Sequence, residues 1–247
     1  MGVNQLKSKR LEENGLINRI AGSDYNFRYQ KAGNRVVEDL EKVLRELAIE
    51  PKEIYSGQQT HSAHIEYVDG MNGEAFVFGK TFKDTDGLIT DQTDVALLIK
   101  FADCTPVVLY DPVKKVQASV HSGWRGTTKQ ISLKAIERMV KQFGCDKETI
   151  LAYVGPSINL ANYEVGPEVY EAFKEFKSRD DFFEPRGEKY LMSMLDANLS
   201  ILLEAGLKAE NIEIEQASTY TDNRLHSARK EGPEYKLNGI ITMMPSQ

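Results

Sequence analysis

Apolar residues recur through residues 35–48 (RVVEDLEKVLRELA) at Val36, Val37, Leu40, Val43, Leu44 and Leu47, with charged residues between them. Spacings of three and four predict an amphipathic helix. A second such pattern covers 128–143, where Ile131, Ala135, Ile136, Met139, Val140 and Phe143 share one face and Gly144 supplies a stop. Helices are also predicted over 167–177, opened by Pro167, and over 191–205, closed by Gly206. Runs rich in β-formers predict strands at 53–57, 64–69, 86–90, 95–101, 106–110, 116–120, 151–155, 211–216 and 237–244. Consecutive strands with several flanking helices indicate an α+β fold. With no Pro/Gly/Ser-rich linker and no internal repeat, residues 1–247 are expected to form a single domain.

Composition narrows the class. A chain 41% hydrophobic and 28% charged suits a soluble globular domain. The net charge of −6, without a basic stripe, argues against a nucleic-acid partner. No apolar run approaches a membrane span, and the polar start MGVNQLKSKRLEENG does not resemble a signal peptide. Two cysteines, Cys104 and Cys145, make a disulfide framework improbable. The expectation is a cytoplasmic protein.

The chemistry concentrates in FADCTPVVLYDPVKKVQASVHSGWRG (101–126). If 106–110 and 116–120 pair around Val113, residue 105 faces 121 and 104 faces 122, so Cys104 and His121 emerge together at the open end. His61, in GQQTHSAH (57–64), is a third candidate. One cysteine and two histidines form a three-ligand metal set with an open position. Thiolate and imidazole suit zinc, and copper as well. Taken singly, His61 reads as a loop or packing histidine and Cys104 as a small buried apolar residue. Cys104 and His121 could equally be a nucleophile and its base. Spacing alone leaves these readings open, and His64 and His226 are read as structural.

ADCTP (102–106), HSGWRG (121–126), QQTH (58–61), DGLIT (86–90) and VGPSI…YEVG (154–166), in that order, resemble the laccase-domain family. That family was first labelled multicopper polyphenol oxidoreductase and is now regarded as purine nucleoside phosphorylase and adenosine deaminase. The resemblance implies one domain with mixed sheets in a layered α-β-β-α arrangement, distantly similar to the cytotoxic necrotizing factor deamidases. It also implies a zinc held by His61, Cys104 and His121. This chain departs from the pattern in places. Ser62 stands where the family often has glycine, Ser218 where cysteine is usual, and Leu225-His226 where two aromatics are usual.

The implied function is zinc-dependent phosphorolysis of adenosine, inosine and guanosine, with methylthioadenosine as a further candidate, together with adenosine deamination. Its partners are then a purine nucleoside and phosphate. Arg125 and Arg28 are candidates for the phosphate, because guanidinium forks match its oxygens. Arg28 also gains support from the N-x-R stretch such proteins carry near the N-terminus. Asp103 and Glu164 are candidates for moving protons, and Asp103 could instead orient a ligand. Trp124 is read as core. Gly123 and Gly126 are read as permitting a tight turn or close approach. With four histidines in the chain, a multicopper oxidase set cannot be assembled, although a single copper on the same three ligands can. The alternatives are therefore a copper polyphenol oxidase, a metal-free hydrolase or deamidase using Cys104 and His121, and a non-enzymatic binding module.

Overall fold

The structure is a computed structural model that describes residues 6–246. One mixed sheet has the spatial order β1 (Ile17–Ala21), β15 (Asn238–Met243), β7 (Val95–Phe101), β2 (Glu53–Gly57), β5 (Gly79–Phe82), β4 (Glu74–Phe76). A second runs β14 (Ile212–Ile214), β10 (Leu151–Val154), β8 (Thr105–Asp111), β9 (Val116–Ser122), β6 (Gly87–Thr90), β3 (Ile65–Tyr67). A small third sheet, β11 (Glu164–Val165), β13 (Lys189–Met192) and β12 (Phe183–Arg186), packs over a cluster of phenylalanines that includes Phe173, Phe176 and Phe182.

Strand alternation builds the layers. Leu97, Ile99 and Phe101 of the first sheet meet Leu88, Val108 and Tyr110 of the second in a shared core. On the outer face of the first sheet, Leu98 and Ile241 pack against Val36, Leu40 and Val43 of the helix Arg35–Leu47. On the outer face of the second, Val107, Leu109, Ala118 and Val120 pack against the helices Ile131–Phe143 and Met194–Glu204. This is the α-β-β-α layering that the resemblance implied. Ser193 caps the last helix by accepting from the Asp196 amide at 3.1 Å.

The β8–β9 hairpin is displaced by one residue from the expected register. Thr105 pairs with Ser122, Pro106 with His121 and Asp111 with Val116. The turn is the cause. Asp111 Oδ1 accepts from the amides of Val113 at 2.8 Å and Lys114 at 3.0 Å, and Lys115 takes a left-handed φ of 54°. Four residues thus form the loop, centred between Val113 and Lys114. Cys104 therefore stands just beyond the ladder instead of opposite residue 122. The helix expected over 128–143 also divides, into Trp124–Thr128 and Ile131–Phe143, because Gln130 sits at φ 56°. The helix expected over 167–177 stops at Ala172, and the first residues of 191–205 belong to β13.

The chain passes from the first sheet to the second at three places near the site: β2 to β3 through 58–64, β5 to β6 through 83–86, and β7 to β8 through 102–104. Each passage carries one site residue.

Candidate metal centre

Those residues are His61, Asp86 and Cys104, and β9 supplies His121 from its end. The donor atoms of His61, Cys104 and His121 lie within 4.8 Å of one another, with exposure falling from His61 to His121. His61 Nε2 is 3.7 Å from Cys104 Sγ. A tetrahedral ion, with metal–sulfur near 2.3 Å and metal–nitrogen near 2.0–2.1 Å, places such donors about 3.6 Å apart. The His61–Cys104 pair therefore matches that spacing, and the donor chemistry of the three residues suits a metal.

Asp86 organises the set. It is fully buried, and its Oδ1 lies 2.8 Å from His121 Nδ1. Burial pushes the Asp86 carboxyl up, but the His121 hydrogen bond and charge, with the Thr60 and Ser62 amides, outweigh it and hold the group at about 2. An ionised carboxylate can only accept, so Nδ1 carries the proton and Nε2 is left free toward Cys104. Asp86 also fixes the His61 loop, accepting from the amides of Thr60 (3.0 Å), His61 (3.1 Å) and Ser62 (2.8 Å). Gln59 ties the same loop to β7: its Nε2 donates to Lys100 O at 2.6 Å, and its Oε1 accepts from Lys100 N at 2.9 Å.

Burial raises the Cys104 thiol, yet His121 and His61 outweigh it and bring it to about 6. Burial likewise lowers His121, and Cys104 with Asp86 outweigh that, lifting it to about 9. Each shift draws on the other group's charge, so the two run together, the thiol down and the imidazole up. Cys145, by contrast, is pushed up to about 12, first by burial and then by Asp111. Gly123 leaves the space this cluster needs. A methyl group there would fall 2.7 Å from Cys104 Sγ and 2.8 Å from His61 Cδ2, although its φ of −75° suits any residue.

A cavity of about 490 Å³ opens over the three donors, within the usual range for small-molecule sites. Phe27, Tyr29, Phe76, Phe78 and Tyr235 contribute aromatic walls, and Lys100 also lines it. On the other flank, burial raises the Tyr163 hydroxyl well above its ordinary value. The charges of Cys104 and Asp103 add to this and those of Arg229 and Arg125 oppose it, and the Arg229 guanidinium lies 5.3 Å over the Tyr163 ring.

The remaining expected site residues take definite places. Asp103, at φ 82°, accepts from Thr219 Oγ1 and from the Arg229 amide, both at 2.7 Å, and so fastens the C-terminal segment to the site. Arg125 stacks on Trp124, 4.2 Å from the ring centre, and does not line the cavity. Arg28 supports a cavity wall: its Nη1 donates to Pro233 O (2.9 Å) and Tyr235 O (2.7 Å), and its guanidinium lies 3.8 Å over the Tyr235 ring. Glu164 pairs with Lys189 at 2.7 Å and Arg186 at 3.6 Å on the small sheet. His64 pairs with Glu66, and His226 is held between Glu231 and the Tyr25 carbonyl. Asp86, Lys100, Tyr163 and Arg229 were not singled out from the sequence. Asp86 had a signal, its place at the head of the DGLIT motif, but its partner lies 35 residues away.

Comparison with known proteins follows the same geometry. A family model described as multi-copper polyphenol oxidoreductase laccase matches residues 15–243. The chain belongs to this family. The purine nucleoside phosphorylase of Bacteroides thetaiotaomicron is 33% identical over 196 residues, spanning 74% of this chain and 70% of that protein. A protein named adenosine deaminase RL5, from an unknown prokaryotic organism, is 31% identical over 204 residues, 80% of this chain and 78% of its own. The crystal structure of the hypothetical protein YfiH from Bacillus licheniformis matches with a TM-score of 0.88 at 24% identity, over 94% of both chains, and shows the same fold. The copper in the family description is not matched by a multicopper ligand set. Among the described residues, His61, Cys104 and His121 form a single group able to hold an ion, and the chain has four histidines in all. No helix among the described residues is long and apolar enough to cross a membrane.

Proposed function

We propose that this protein is a zinc-dependent purine nucleoside phosphorylase, acting on inosine, guanosine and adenosine, with adenosine deamination as a second activity. The observation that carries the reading is the convergence of two imidazoles and a thiol, their donor atoms within 4.8 Å of one another, beneath an aromatic-walled cavity. Relatives named for both activities support it. A zinc held there supplies Lewis-acid polarisation and acidifies water. The aromatic walls stack the base. Arg125, two residues beyond Gly123, and Arg229, over the Tyr163 ring, neutralise the phosphate that attacks the sugar. Asp86 keeps His121 in the tautomer that presents Nε2.

The test is chromatography of inosine and adenosine reactions with and without phosphate, with metal content measured on the same preparation. Base release that requires phosphate is expected, and Cys104→Ala should lose metal and turnover together. Metal-replete protein that leaves both nucleosides intact would sink the assignment. A second reading has one specific observation in its favour: Asp86, His121 and Cys104 also line up as carboxylate, imidazole and thiol. Turnover that survives a strong chelator but stops with a thiol alkylator would move the assignment to a cysteine nucleophile. Oxygen uptake with a phenol at stoichiometric copper, with nucleosides untouched, would move it to copper.

A further inference from the structure

Lys100 is out of character with its strand. The other six residues of VALLIKF are apolar, and Val95, Leu97, Ile99 and Phe101 enter the core between the sheets. Lys100 points the opposite way, on the face where Leu98 packs, and lines the cavity together with Phe27, Phe76 and Phe78. Its ammonium donates to the Gly57 carbonyl at 2.9 Å. An ammonium has three donors, and no carboxylate lines the cavity among the described residues. Burial draws the Lys100 amine down to about 8, and Asp86 opposes that shift.

A ligand that completes this site must be planar, to lie between aromatic walls, and must offer acceptors at its edge. A phosphate would leave the aromatic faces unused and would meet a single fixed cation there. It is better served by the guanidiniums of Arg125 and Arg229, neither of which lines this cavity. A 6-oxopurine fits both requirements, because its N7 and O6 are adjacent acceptors on one edge. Adenine keeps N7 but turns an amino group toward the ammonium, donor against donor.

We propose that Lys100 reads the N7–O6 edge of the base, so that the enzyme prefers inosine and guanosine to adenosine. The proposal rests on the nucleoside reading above and adds the base specificity. In the reaction a phosphate oxygen bonds to C1′, the C1′–N9 bond breaks, and its electron pair leaves on the purine. The purine then takes up the proton that hydrogen phosphate releases. Charge arriving on the base spreads to N7 and O6, so the Lys100 hydrogen bonds strengthen in the transition state and act on kcat as well as KM.

The experiment compares kcat/KM for inosine, adenosine and purine riboside, which lacks the 6-oxo group, in wild type and in Lys100→Met. A paired edge contact is worth about 1–3 kcal/mol, or roughly 5- to 150-fold in discrimination. Wild type should favour inosine over both analogues by at least about fivefold. Lys100→Met, with metal content and melting temperature retained, should bring the inosine-to-adenosine ratio near one. A ratio unchanged in that variant overturns the role of Lys100 and leaves the nucleoside reading standing. Should the variant misfold, the wild-type comparison decides alone: inosine and purine riboside within threefold overturn the proposal. Wild type that cleaves none of the three removes the nucleoside reading, and this inference falls with it.

Discussion

Asp86 accepts from three consecutive amides, Thr60, His61 and Ser62, while its other contact fixes His121. One carboxylate thus sets both imidazoles of the cluster. Ser62 adds its hydroxyl at 2.8 Å, a bond that a glycine at this position would lack. Asp86→Asn keeps the shape but loses the charge, and its amide nitrogen must face donors on one side. Carboxylates placed behind metal ligands typically matter about 10–100-fold in metal affinity. The variant is therefore expected to bind zinc about 10–100-fold more weakly in competition with a chromophoric chelator. Affinity equal to wild type would strip Asp86 of this role. The candidate ligands themselves were legible, because cysteine and histidine are scarce here and the motifs around them are distinctive. Asp86 was not: in a chain with 37 acidic residues, nothing local marks the one that folding buries against a histidine. Lys100 was hidden for the related reason that a single lysine inside the strand expected over 95–101 carries no local mark of the cavity it faces.

Two strands and one helix end were read to the residue. β2 and β7 have the bounds expected of them, and helix Ile131–Phe143 ends at Gly144 in a left-handed cap as its sequence suggested. The strands Ile17–Ala21, Glu74–Phe76 and Gly79–Phe82 escaped notice, the last two because they are short and partly exposed. The hairpin register slipped because a side-chain bond at Asp111, not strand composition, sets the loop length. The division at Gln130 has a similar origin. The helical face continues through it, yet the backbone turns left-handed there so that Trp124–Thr128 can follow β9 directly. A side chain with a Cβ resists that conformation by about 1–2 kcal/mol, which glycine avoids. Gln130→Gly should accordingly raise stability by about 0.5–1 kcal/mol in urea titration with an unchanged slope. A loss of stability would mean that Gln130 makes a compensating contact.

At the scale of the whole molecule, the three passages between the sheets converge on the cluster, so an ion there ties together parts of the chain that the sheets alone hold separately. His61 arrives from the first sheet by 58–64, Cys104 by 102–104, and His121 belongs to the second sheet. The unfolded chain keeps these ligands 43 and 17 residues apart along the sequence. An ion that binds the folded form and not the unfolded one stabilises by mass action, about 2.7 kcal/mol at a hundredfold excess over its dissociation constant. For a chain of this size each kcal/mol moves the melting temperature by about 2–4 °C. Removing metal with a chelator should then lower the melting temperature by roughly 5–10 °C, and added zinc should restore it. His61→Ala is the control that separates this cluster from ions bound elsewhere, since its melting temperature should not respond to chelator or zinc. If wild type melts at one temperature in both conditions, the cluster does not link the sheets through a metal, and the Cys104–His121 pair must be taken as the working form of the site.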